Sequence, residues 1–147
     1  MEEILPTEYS VYTHDGHFDA LTQTFMPEVC YEALQREISY AKRENKKIGI
    51  AKFSLNSGVS LIDIINFANR LNLAIRMHDL IARMSALDFM VLFRSDDDLT
   101  CAFESLLKRL ENSTDCQFHY SFLQSEANQD YRKTLQILEE VKMELSS

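Results

Sequence analysis

The sequence predicts an α/β fold in which a central mixed or antiparallel sheet is covered by helices, and three observations carry that reading. Apolar residues recur at helical spacing in four stretches, which alternate with short β-compatible runs in the order helix, strand, helix, hairpin, helix, strand, helix. The run 48–55 is apolar on both parities, as in a strand covered on both faces. The stretch 76–93 holds two short apolar arms carrying Ile81, Met84, Phe89, Val91 and Phe93, with Ser85, Ala86, Leu87 and Asp88 as the only place between them where the chain can reverse.

Residues 1–18 carry Pro6, Gly16 and scattered aromatics without a sustained period and read as an N-terminal arm, extended in part over Val11 and Tyr12. His14 and His17 flank Asp15 and Gly16, but two histidines in a glycine-containing loop lack a third ligand, so no metal site is expected there. Pro27 and Glu28 suit the first turn of a helix, in which Cys30, Ala33, Leu34, Ile38 and Ala41 repeat on one face. Lys42, Arg43, Lys46 and Lys47 mark its end, where cations favour the negative pole of the helix dipole.

In the strand 48–55, Ile48 and Ile50 share one parity and Ala51, Phe53 and Leu55 the other. Ser57-Gly58-Val59-Ser60 turns into a second helix with Leu61, Ile64, Ile65, Ala68 and Leu71 as its apolar stripe, and Ser60 with Asp63 reads as a capping box. The hairpin turn lacks Gly and Asn, so either the loop is longer than two residues or its backbone geometry is less demanding. Asp96, Asp97 and Asp98 precede Leu99, Ala102, Phe103, Leu106, Leu107 and Leu110 at helical spacing and read as an N-cap rather than a cation site. Cys116, Phe118, Tyr120 and Phe122 alternate with Gln117, His119 and Ser121 as a strand with one wet face, on which His119 is exposed. A last helix near 130–145 buries Tyr131, Leu135, Leu138, Val141 and Leu145.

Composition limits the function. The 147 residues suffice for one domain with a real core, at 46% hydrophobic and 26% charged content. Fifteen Lys and Arg against 23 Asp and Glu give a formal net charge of -8, which disfavours a nucleic acid polymer as partner and leaves room for a small nucleotide held by one or two arginines. The chain has no apolar run long enough for a membrane span and an acidic start, Met1-Glu2-Glu3, so no membrane association and a cytoplasmic location are expected. Cys30, Cys101 and Cys116 are too few and too widely spaced for a disulfide framework or a zinc site and read as free thiols.

The order Arg76-Met77-His78-Asp79, Arg83, then the five-residue turn Ser85-Ala86-Leu87-Asp88-Phe89 resembles the signature hairpin of GGDEF domains, the diguanylate cyclase family. Asp19-Ala20-Leu21-Thr22 is similar to the Asp-x-Leu-Thr that opens those domains, and the resemblance runs from Asp19 to about Lys142. It divides the chain into an arm, 1–18, and a degenerate GGDEF-like domain, 19–147, and implies the palm-like sandwich shared with nucleotide cyclases.

The same resemblance implies that cyclase chemistry is absent. Joining two GTP molecules needs Mg²⁺ held by carboxylates and phosphate oxygens. Ser54 and Leu87 stand at the two family ligand positions, and Asn56 ends what is Asp-x-Asp in the family. Ser85 and Ala86 replace two glycines whose missing side chains let backbone approach phosphate, and only Phe89 of the signature turn is retained. Asp88 keeps a carboxylate, one position along and one methylene shorter than the family glutamate. A longer family loop that holds the guanine base is largely missing after Asn56. No catalytic residue, metal ligand or cofactor is therefore expected at Ser54, Ser85, Ala86, Leu87 or Asp88.

Arg76 and Asp79 remain as candidate ligand-binding residues, because they resemble the inhibitory Arg-x-x-Asp site that binds cyclic di-GMP in the family. A guanidinium can fork to guanine O6 and N7 or to phosphate, and a carboxylate can accept from guanine N1 and the N2 amino group. Without a ligand the two side chains would simply pair with each other or with solvent. Two functions follow: a non-catalytic signalling domain that works through a protein partner, with a homodimer left open, or a cyclic di-GMP receptor. An enzyme with an altered substrate is the remaining alternative.

Overall fold

The computed structural model describes residues 18–19, 21–76, 79–93, 98–113, 116–125, 131–140 and 144–145. Helix α1 (Pro27–Glu44) leads to strand β1 (Ile48–Leu55), helix α2 (Leu61–Ala74), the hairpin strands β2 (Leu80–Arg83) and β3 (Asp88–Phe93), helix α3 (Leu99–Ser113), strand β4 (Phe118–Ser125), helix α4 (Tyr131–Glu140) and a short strand β5 (Glu144–Leu145). The five strands form one sheet in the order β2-β3-β1-β4-β5, and every neighbouring pair is antiparallel. The expected α/β sandwich is present, and of the two sheet types left open it is the antiparallel one.

Both parities of the inner strands are buried because helices cover both faces. Ala51, Phe53, Leu55, Ile81, Phe89, Val91 and Phe93 pack with Ile64, Phe67, Leu71, Phe103, Leu106 and Leu110 of α2 and α3. Ile48, Ile50, Leu80, Ala82, Met90 and Leu92 pack with Cys30, Ala33, Leu34, Ile38 and Ala41 of α1 on the other face. The first cluster is aromatic at its centre: Phe67 lies 5.5 Å from Phe89 and 5.3 Å from Phe118, ring centre to ring centre. Truncating one such ring costs roughly 3–5 kcal/mol.

The helix ends follow from local chemistry. Pro27 opens α1, and Asn45 closes it in the left-handed conformation at φ 54°, with Lys46 N donating to Ala41 O at 2.8 Å. Ser60 and Asp63 form a reciprocal capping box at α2, each bond 3.1 Å long. Asp98 Oδ1 accepts from Cys101 N at 2.9 Å at the start of α3, so Asp98 has the expected capping role, while Asp96 and Asp97 lie outside the described residues.

Several expectations are corrected. The last helix ends at Glu140, and Leu145 lies in β5, paired with His119 and 51% exposed rather than buried. The short strand β5 pairs with the otherwise open edge of β4. The side chains of Tyr131, Leu135 and Leu138, together with Val141 and Lys142, lie outside the described residues, as do residues 1–17 with Val11, Tyr12, His14 and His17. β4 begins at Phe118, Ser121 is buried, and His119 is half-buried, so the face read as wet is largely covered. Arg83, in the short strand β2, is wholly buried.

Candidate functional site

The hairpin turn answers the question raised by its missing glycine. Met84 N donates to Asp88 O at 2.8 Å, and Ser85 and Asp88 exchange two longer backbone bonds of 3.4 Å, so four residues from Met84 to Leu87 link the strands. None of the four has a positive φ, and side chains are therefore tolerated at Ser85 and Ala86. A longer loop with undemanding geometry took the place of a tight primed turn.

Chemistry at this turn centres on Asp88. Ser54 is its partner across the β1–β3 ladder, and its Oγ donates to Asp88 Oδ1 at 2.6 Å. Ser85 Oγ donates to Asp88 Oδ2, also at 2.6 Å, so each carboxylate oxygen accepts one hydroxyl. Leu87 extends the ladder by accepting from Leu55 N at 2.9 Å, and the side chains of Ala86 and Leu87 pack against the apolar cluster of α2 and α3. The donor set does not fit a divalent cation: one carboxylate already engaged by two hydroxyls, one neutral hydroxyl at Ser54 and a hydrocarbon at Leu87. Among the described residues, no three His, Cys, Asp or Glu side chains gather as metal ligands could.

Behind the turn a buried ion pair ties it to the start of the domain. Arg83 Nη1 donates to Asp19 Oδ2 at 3.0 Å, and the two side chains are 0% and 1% exposed. Arg83 Nη2 donates to Ala86 O at 2.7 Å, which holds the turn backbone directly. Asp19 Oδ2 also accepts from Thr22 N at 2.9 Å and Thr22 Oγ1 at 2.7 Å. The Asp19 segment is further fixed by Phe25, whose N–H donates to Ile81 O at 3.0 Å and whose carbonyl accepts from Arg83 N at 2.8 Å along the edge of β2. Sequence reading placed both charged residues in motifs without joining them. The signal was present in chemistry: an arginine in an otherwise apolar strand needs a buried acid, and Asp19 is an acid opening a turn.

Arg76 and Asp79 lie where α2 hands over to β2, and they meet in a fork. Arg76 Nε donates to Asp79 Oδ2 and Nη2 to Asp79 Oδ1, both at 2.9 Å, while Arg76 N reaches Oδ2 at 3.2 Å. The Asp79 side chain is 0% exposed and that of Arg76 is 27% exposed, with its guanidinium carbon 5.9 Å from the Phe93 ring centre. The two side chains thus pair with each other in the structure. The pair lines a cleft of about 300 Å³ with Phe18, Gln23, Thr24, Phe25, Asn72, Ile75 and Ile81, and Phe18 stacks on Phe25 at 4.7 Å. Met77 and His78 lie outside the described residues.

The chain superposes on solved structures over most of its length. The fold is that of GGDEF domains. The GGDEF domain of DgcB from Caulobacter crescentus, solved with c-di-GMP, superposes with a TM-score of 0.73 over 84% of each chain at 12% identity. The FimX GGDEF domain from Pseudomonas aeruginosa superposes at 0.70 over 84% of this chain and 88% of its own, at 17% identity. Diguanylate cyclase SiaD from Pseudomonas aeruginosa, solved with its activator SiaC, gives 0.70 over 81% of this chain and 54% of its own, at 15% identity. No protein-family model and no curated protein matches the sequence. At these identities the likeness to GGDEF domains is one of fold, and the chemistry of the site must be argued from its own residues. No helix among the described residues is long and apolar enough to cross a membrane.

Proposed function

We propose that this chain is a non-catalytic GGDEF-like signalling domain of the cytoplasm that acts through contact with a protein partner. The observation that carries the reading is the state of Asp88. With both oxygens engaged by Ser54 and Ser85, and with Leu87 packed into the apolar cluster, the turn has no carboxylate pair with which to gather Mg²⁺ and a triphosphate. What remains is a folded surface, and a fold kept without its chemistry serves by binding. The fold's neighbours include a cyclase solved with an activator protein, which supports a role for contact in cyclic di-GMP signalling. Incubation with GTP and Mg²⁺ tests the inactivity: no dinucleotide is expected by chromatography, and accumulation of cyclic di-GMP would overturn the reading.

A second reading, a cyclic di-GMP receptor, is favoured by the cleft beside Arg76. Its partly exposed guanidinium sits near a stacked aromatic pair, a combination able to meet a purine edge and face. In this arrangement Arg76 touches the ligand, while Asp79, wholly buried, orients the guanidinium. Calorimetry with cyclic di-GMP separates the readings: heat in the wild type that is lost in Arg76→Ala supports the receptor, and silence in both leaves protein contact alone.

A further inference from the structure

The second half of α1 and the residues that follow it are locally basic in an acidic chain. Five of the 15 Lys and Arg residues, Arg36, Lys42, Arg43, Lys46 and Lys47, fall between residues 36 and 47, against two of the 23 Asp and Glu residues, Glu37 and Glu44. Lys42 and Arg43 lie in the last turn, where the helix dipole accounts for them. Arg36 lies two turns further back, beyond the reach of that end, and the dipole leaves it unexplained. Arg36, Ser39, Tyr40 and Arg43 are all exposed, and their spacings of three and four residues gather them on one face. Tyr40 leaves 39% of its surface in water. Glu32, Gln35, Arg36, Ser39 and Arg43 border a shallow, open depression on this helix face.

We infer that this face docks an acidic protein segment, with Arg36 and Arg43 each gripping a carboxylate and Tyr40 covering the apolar stem between them. Guanidinium groups pair with carboxylates through two parallel hydrogen bonds, and arginine and tyrosine carry much of the energy in protein interfaces. Arg36 and Arg43 stand roughly 10 Å apart along the helix axis, a spacing matched by glutamates seven residues apart on a partner helix. Glu32, one helical turn before Arg36, repels a further carboxylate and so limits how far the segment extends towards the start of the helix. The remainder of this acidic chain repels such a segment, which makes the patch selective within its own molecule.

The inference names a surface and a partner chemistry for the protein contact proposed above, and it rests on that reading only for the purpose of the contact. The test is fluorescence anisotropy of the full chain titrated into a labelled alanine-based helical peptide that carries glutamate pairs seven residues apart. Salt-sensitive binding is expected, absent with a glutamine peptide, weakened roughly tenfold or more in Arg36→Glu/Arg43→Glu and less in Tyr40→Ala. Lys108→Glu/Lys133→Glu, a charge change at other exposed positions, leaves it intact. All these side chains are exposed, and circular dichroism confirms that each variant is folded. No peptide binding at millimolar concentration, equal binding by the Arg36→Glu/Arg43→Glu variant, or tighter capture of phosphatidylglycerol vesicles or duplex DNA through the same arginines overturns the proposal. Dinucleotide formation in the GTP assay would leave this surface standing, and failure here would leave the inactivity standing.

Discussion

Removing one partner of the Asp19 and Arg83 pair strands a buried charge without its counterion, because both side chains are shut off from solvent. Asp19→Ala or Arg83→Met alone is expected to lose roughly 3–5 kcal/mol in chemical denaturation, whereas Asp19→Leu/Arg83→Met recovers much of it by removing both charges. A double variant no better than the single ones would show that the bonds to Thr22 and Ala86, rather than the pair, carry the stability. Cys30 makes the complementary case of a neutral group kept neutral. Burial pushes its thiol from 9.0 up to about 12, and it donates to Met90 Sδ at 3.6 Å. The folded value lies above the unfolded one, so unfolding favours thiolate at high pH: the contribution is complete below 9.0 and is lost as pH rises towards about 12. Native thiol labelling at pH 8 should therefore modify exposed Cys101 quickly and buried Cys30 only at the rate of unfolding. Rapid labelling of Cys30 in the folded state would contradict its burial.

At the scale of elements, β1 is the central strand of the sheet, and Gly49 leaves little room for a side chain there. A Cβ there would meet Phe122 Cε1 at 3.0 Å and Phe93 Cβ at 3.4 Å, and the Phe122 ring has little room to yield because it stacks on Phe103 at 4.5 Å. Gly49→Ala is expected to cost about 1–3 kcal/mol, readable as a lower melting temperature, while Phe122→Leu in the same background restores part of the loss. The elements legible in the sequence were those whose apolar period runs over several turns: α1, α2 and α3 with their caps, and β1 with both parities filled. Local patterning determines these. What stayed hidden depends on residues far apart in the chain. Phe67, missing from the expected stripe of α2, is central because β3 and β4 bring Phe89 and Phe118 to it. Leu145 looked like the end of a helical stripe and became an edge strand because His119 and Tyr120 offered a ladder to join. The candidate site divides in the same way: the residue types at Ser54, Ser85, Ala86 and Leu87 could be read directly, but the fork between Arg76 and Asp79 and the two hydroxyls on Asp88 needed a fold to bring them together.

For the whole molecule, the charge at the hairpin end is coupled to the stability of the sheet through the ladder pair Ser54 and Asp88. Ser54 fits beside Asp88 because a hydroxyl can donate where a second carboxylate could only repel. Ser54→Asp therefore places two negative charges directly opposite each other on adjacent strands, an arrangement that destabilises an antiparallel pair by several tenths of a kcal/mol to about 1 kcal/mol. A divalent cation between them would relieve the repulsion by binding the folded state alone, and stability would then rise with its concentration. The melting temperature of Ser54→Asp should fall below that of the wild type and climb back as Mg²⁺ is raised into the millimolar range, while the wild type stays flat. Ser54→Asn, equal in shape and uncharged, separates charge from size and should show no response to Mg²⁺. A wild type stabilised by Mg²⁺ to the same extent as Ser54→Asp would mean that the turn gathers a cation with the oxygens it already has, and the electrostatic argument against cyclase chemistry would fail with it.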